Sequence, residues 1–190
     1  MAGIGHNQGP TLEKGHAWRT YQWRQAQKKL MPRTIPLMIV KMRVRRAAEL
    51  GMDYKAYASL RQAAGRDICG LLFSSNALRI LGGDAKMPQE RARVLAGLRD
   101  AKRLSLVYRP LDPAAVHDAN SVLDATGLAP DITMTWSAMH ERLCGFVRKQ
   151  NLVGDQVVII GDTSLENGWS AAARAAGYLP ADRYFGAAAS

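Results

Sequence analysis

Two carboxylates in "VVIIGDTSLENGWSAAARAAG", residues 157–177, stand where chemistry could occur: Asp162 and Glu166 follow an apolar run and precede an Ala-rich stretch. Acids at the end of a buried strand can hold a divalent cation or move a proton, provided that a nucleophile and an anion grip complete the site. Neither partner is evident nearby. Asp162 and Glu166 are therefore weak catalytic candidates, and the simpler reading has Asp162 accepting backbone N–H bonds in the turn or starting the helix. His6, His117 and His140 are isolated in sequence, and Cys69 and Cys144 lie in apolar surroundings with no CxxC spacing. Such thiols read as buried cysteines of a reducing compartment, with neither a disulfide nor a metal framework. Gly82-Gly83 matches neither a dinucleotide fingerprint nor a phosphate loop, so no cofactor is expected.

The charge is the stronger signal. The 190 residues carry a formal net charge of +10. Residues 1–66 hold 13 Lys/Arg against Glu13, Glu49 and Asp53, whereas residues 67–190 hold 13 of each sign, so the whole excess lies in the first third. A basic segment joined to a neutral body points to phosphates or an acidic partner. The residues expected to meet nucleic acid are Lys41, Arg43, Arg45, Arg46, Lys55, Ser59 and Gln62. An acidic protein is the alternative partner, and the neutral body is open to contacts with a second copy of the chain. No apolar run approaches the ~18 residues of a membrane span and no secretory h-region is seen, so a cytoplasmic protein is expected.

The elements that would carry these residues follow from periodicity. Residues 1–15, rich in glycine and polar side chains, read as a flexible tail. Residues 16–31 form a helix with Trp18, Tyr21, Gln25 and Lys28 along one line, stopped by Pro32. Trp18, Tyr21 and Trp23 interleave with Arg19, Arg24, Lys28 and Lys29, a composition suited to stacking on bases or, alternatively, to anchoring the helix on a neighbouring core. A second helix follows Pro36, with Leu37, Val40, Val44, Ala47 and Ala48 at three- and four-residue intervals and Gly51 as its stop. Asp53 caps a third over residues 54–64, closed by Gly65. From residue 68 the pattern changes to short apolar runs, "ICGLLF" (68–73), "LSLVY" (104–108), "VVII" (157–160) and a fourth candidate "ITM" (132–134). Helices are expected at 88–100, 113–125, 137–150 and 168–176. Such alternation implies βα crossovers. The expected fold is α/β, a small Rossmann-like parallel sheet with flanking helices over residues 67–190, preceded by a basic helical subdomain over 16–66.

Three resemblances add to this reading. "GIGHNQGP", residues 3–10, resembles the IGHN-type N-terminal tags of bacterial and phage proteins. "RRAAELGMDYKAYASLRQ", residues 45–62, resembles a helix-turn-helix, with Ala47, Leu50, Gly51, Met52 and Leu60 where that family places small, apolar and turn residues. The resemblance implies that Asp53, Tyr54, Lys55, Ser59 and Gln62 face DNA while basic groups grip its backbone. Arg46 and Tyr57 depart from the pattern, and an ordinary helical hairpin is the alternative. Residues 68–178 are similar to a worn haloacid-dehalogenase-type hydrolase, through "MPQERARVLAGLRDAKRLSLVY" (87–108) and the stretch around Asp162. That family needs a nucleophilic aspartate after the first strand and a general-acid aspartate two residues on, but here Ser74, Ser75 and Asn76 occupy those places. The second strand ends at Tyr108 and Arg109, where the family has a small hydroxyl residue, and Trp169 falls where its last acid is expected. A non-catalytic nucleic-acid-binding or regulatory protein is the favoured expectation, with a haloacid-dehalogenase-like hydrolase, with or without catalysis, or a protein-interaction adaptor as alternatives.

Overall fold

Five short apolar segments form one all-parallel sheet: β1 (Gly70–Ser74), β2 (Lys102–Val107), β3 (Ala125–Leu128), β4 (Val157–Gly161) and β5 (Gly177–Pro180). The computed structural model describes residues 22–23 and 35–188. The helices among these are α1 (Leu37–Glu49), α2 (Tyr54–Ala64), α3 (Gln89–Ala96), α4 (Pro113–Ala119), α5 (Trp136–Lys149), α6 (Ser164–Ala172) and α7 (Ala181–Ala188). Of the expected helix at 16–31 only Gln22 and Trp23 are described, both helical, and the N-terminal tag lies outside the described residues. The chain divides into two units, Met1–Val40 and Lys41–Ser190, and the sheet belongs to the second.

The strand order is β3-β2-β1-β4-β5, the order of a Rossmann-like sheet. Register aligns Ala125, Leu104, Leu72, Ile159 and Tyr178 in one row across it. Because side chains alternate along a strand, the central strands feed two cores. Leu71, Phe73, Val158 and Ile160 pack into one, together with Ala47 and Leu50 at the α1 end, Ala56 and Tyr57 of α2, Leu95, Val116, Tyr184 and Phe185. Leu72, Leu104, Leu106, Val157 and Ile159 pack into the other with Leu143 and Val147 of α5 and Trp169 and Ala172 of α6. This double burial is why β1 and β4 read as unbroken apolar runs.

The second and third helices form as their end signals require. Asp53 accepts a hydrogen bond from the Ala56 N–H at 2.8 Å, and Gly65 closes α2 in the left-handed conformation with φ 71°. Gly51 likewise turns the chain after α1 at φ 64°. Several boundaries differ from expectation. Residues 132–134 form no strand; Ile132 is 79% exposed in a turn, and the strand beside β2 is instead Ala125–Leu128. The helix expected at 113–125 stops at Ala119, because buried Asn120 turns its amide to the Val116 and Ala85 carbonyls and accepts the Met87 N–H. The helix expected at 88–100 ends at Ala96, and the one expected at 168–176 runs instead over Ser164–Ala172.

Candidate functional site

In an open α/β sheet the natural ligand crevice lies beyond the carboxyl ends of the strands, where chain direction across the sheet reverses. Here that point falls between β1 and β4, and it brings Ser74, Ser75 and Asn76 opposite Asp162 and Glu166. The serines are consumed by the turn: buried Ser74 accepts the Ala77 N–H through Oγ at 3.0 Å, and buried Ser75 accepts the Tyr108 N–H at 3.3 Å. Glu166 is fully buried and bonded through both oxygens. Its Oε1 accepts from the Asn76 amide at 3.0 Å, and its Oε2 accepts the N–H groups of Asp162 at 2.5 Å and Thr163 at 3.0 Å. Thr163 Oγ1 returns a bond from the Glu166 N–H, completing a capping box. A buried carboxylate that takes three N–H donors, with the Tyr108 phenol beside it, is a structural clamp.

The expectation that Asp162 accepts the turn's N–H groups is corrected here, since Thr163 is the N-cap and Glu166 the acceptor. Asp162 is exposed at the strand end. Tyr108 stands beside the pair, its phenol held protonated first by burial and then by the neighbouring Glu166 carboxylate. Trp169, the position matching the hydrolases' last acid, is buried in the second core against Tyr108, with ring centroids 5.7 Å apart. Among the described residues no three metal-type ligands gather in one place.

The basic candidates separate into two kinds. Lys41 and Arg45 are exposed and Arg43 is half-buried on α1. Arg45 also pairs with Glu49 at 3.0 Å. Arg46 is different: its guanidinium donates to the carbonyls of Ile68 at 2.8 Å, Asp100 at 3.0 Å and Arg99 at 3.1 Å, and pairs with Glu49 at 3.3 Å. Hydrogen bonding from Arg46, resisted by desolvation and aided by Arg45, holds the Glu49 carboxyl below its ordinary range. Arg46 thus ties α1 to the loops at the amino ends of β1 and β2. Tyr57 is buried, and its hydroxyl donates to Asp67 at 2.8 Å. On α2, Lys55, Ser59 and Gln62 are all exposed, and their four- and three-residue spacing places them along one face. Asp53 and Tyr54 are half-buried, with Asp53 engaged as the cap and 3.5 Å from Arg183.

One cluster escaped the sequence reading. Trp136, His140 and Cys144 follow one another at four-residue steps on α5; the Trp136 and His140 rings stack with centroids 5.3 Å apart, and Cys144 Sγ lies 3.6 Å from His140 Nδ1. That spacing was the available signal. His140 Nδ1 sits 2.6 Å from the Ala172 carbonyl, and Cys144 also reaches the Ala172 and Ala173 carbonyls. The pair caps the end of α6. No protein-family model, curated protein or solved structure matches the chain.

Proposed function

We propose that the protein binds nucleic acid, DNA in particular, without catalysis, through the basic faces of α1 and α2. The observation that carries this reading is the exposed line Lys55, Ser59 and Gln62 on α2, next in the chain to the exposed Lys41 and Arg45 of α1, within the third of the sequence that holds the entire charge excess. Basic side chains free of core duties supply phosphate contacts, while Ser and Gln can bond base edges. The sheet body carries no net charge and serves as the scaffold. Ser74, Ser75 and Glu166, all held by internal bonds, favour this reading over hydrolysis at the strand ends.

The test is a salt titration of binding to duplex DNA, single-stranded DNA and RNA. For duplex DNA the affinity is expected to fall by about 0.9 log units per phosphate contact for each log unit of salt. Replacing Lys41, Arg45 and Lys55 together with Ala should weaken binding and flatten that slope while leaving the fold intact. Gln62→Ala should shift preference between sequences by about 1–3 kcal/mol if Gln62 meets a base edge. Tight binding that ignores both salt and the triple substitution overturns the reading. A second reading, an acidic protein partner, is favoured by one feature: Met42 and Val44, 67% and 47% exposed, stand among the α1 cations. Absence of binding to any nucleic acid at low salt would select it.

A further inference from the structure

A cleft of about 570 Å³ opens at the carboxyl ends of β1, β2, β3 and β4, on the β2–β3 side of the strand-reversal point and apart from the basic helices. Its walls divide by chemistry. Arg109, just after β2, and Arg142, on α5, supply two guanidinium groups, while Tyr108, Ile132, Met134 and Leu165 supply an apolar surface. Such a pairing of apolar wall and a few convergent polar groups, at this volume and place, is the usual form of a small-molecule site.

The arginines are not spent on the fold. Neither forms an ion pair among the described residues, and the one bond of Arg142, from Nη1 to the Ala129 carbonyl at 3.4 Å, anchors its head at the cleft wall. The carboxylate facing them is Asp131. It accepts the Thr133 N–H at 3.1 Å and the Thr133 hydroxyl at 3.3 Å, and these bonds, ahead of the charge of Arg109, hold it below the ordinary carboxylate range. Thr163 and Leu165 line the cleft from the amino-terminal end of α6, where the Glu166 carboxylate already meets the helix dipole. The apolar wall is likewise idle: Ile132 is 79% exposed and Leu165 40%, although the body has two well-filled cores. Tyr108 stays protonated beside the buried Glu166 carboxylate and contributes its ring to the wall.

We infer that this cleft binds a small organic anion, a carboxylate or phosphate joined to an apolar or aromatic body. The two guanidinium groups take the anion, for which their planar donor fork is suited, and the Ile132–Leu165 side takes the body. The site lacks the glycine-rich loop that cradles a dinucleotide pyrophosphate, so a single anionic group is the fitting size. It involves binding alone, with no bond made or broken. The inference stands independently of the nucleic-acid reading, because no residue is shared between the two surfaces.

The experiment is calorimetric titration of the full chain with two matched pairs, AMP with adenosine and phenylacetate with phenylacetamide. At least one anion is expected to bind tighter than its neutral partner by about tenfold or more, the worth of one charge-assisted hydrogen bond, and the pair that discriminates identifies phosphate or carboxylate. Arg142→Gln and Arg109→Gln should each remove about that factor, Ile132→Ser should weaken anion and neutral partner alike, and Arg148→Gln, outside the cleft, should change nothing. Thermal unfolding of each variant near the parent midpoint shows that the loss is local. No binding by either anion, equal binding within both pairs, or discrimination that survives both cleft substitutions would overturn the inference.

Discussion

At the residue scale, Glu166 shows how a carboxylate in a suggestive place can be wholly structural. Its two oxygens take three N–H donors from the β1–α3 loop and the β4–α6 turn, so removal takes the acceptor from all three, at half-buried bonds. Glu166→Ala is expected to cost about 3 kcal/mol, the scale of a buried charged acceptor lost, read from urea unfolding at neutral pH. Asp162→Asn, by contrast, changes an exposed group and should stay within about 0.5 kcal/mol. A larger penalty for Asp162 than for Glu166 would reverse their assigned roles. The capping box is legible in the sequence as Thr163-Ser164-Leu165-Glu166, the [ST]-x-x-E signature of a helix start, yet this stretch reads as a polar turn leading into an Ala-rich helix from Gly168. Asp53 and Gly65 are unambiguous end signals, and the helix they bound, Tyr54–Ala64, matches the expected 54–64. Arg46 could not be understood from sequence at all: its acceptors are carbonyls of residues 68, 99 and 100, brought to it only by the fold.

At the element scale, the strands buried on both faces were readable and the half-buried ones were not. β1 and β4 are continuous apolar runs because they sit at the middle of the order. β3, "ATGL", and β5, "GYLP", are four-residue edge strands with glycine or proline, and neither shows a period long enough to detect. "ITM" has stronger strand chemistry than "ATGL" but falls after the carboxyl end of β3, in a turn whose isoleucine lines the cleft. The unexpected α7 performs a joining role. Tyr184 is completely buried, its ring edge-on to Phe73 at 5.6 Å, and its hydroxyl donates to the Leu50 carbonyl at 3.0 Å, pinning the α1–α2 turn to the first core. Burial alone pushes that phenol well above its ordinary pKa, so the donor persists through the accessible pH range. Tyr184→Phe keeps the ring and leaves one buried carbonyl unpaired, for an expected loss of about 1–2 kcal/mol by denaturant unfolding. A neutral result would mean that another donor reaches Leu50.

For the whole molecule, charge and packing divide the basic helices into two functions. Their outer faces hold Lys41, Arg45, Lys55, Ser59 and Gln62, while Ala47, Leu50, Ala56 and Tyr57 enter the same core as Leu71 and Phe73 of the central strand. Composition revealed the charge split between residues 1–66 and the rest, but the shared core is invisible to it, because charge is counted along the chain and packing is settled across it. Elements that share a core unfold together. Within residues 41–188, slow-exchanging amides of α2, β1 and β4 are therefore expected to report one common opening free energy in native-state hydrogen exchange. Tyr57→Ala should lower all three together by about 3–5 kcal/mol, the range for truncating a large buried aromatic side chain. The Lys41, Arg45 and Lys55 triple substitution should leave all three within about 0.5 kcal/mol of the parent, since surface changes of this kind touch no packed feature. If α2 opened well below the sheet, or if Tyr57→Ala loosened the helices while β1 and β4 kept their protection, the basic helices would be a separately stable appendage, and any partner gripping them could remodel them without disturbing the sheet. With one common opening free energy, a partner bound to the α2 face stabilises the strand ends as well, and ligand occupancy at either surface raises the unfolding midpoint of the same cooperative unit.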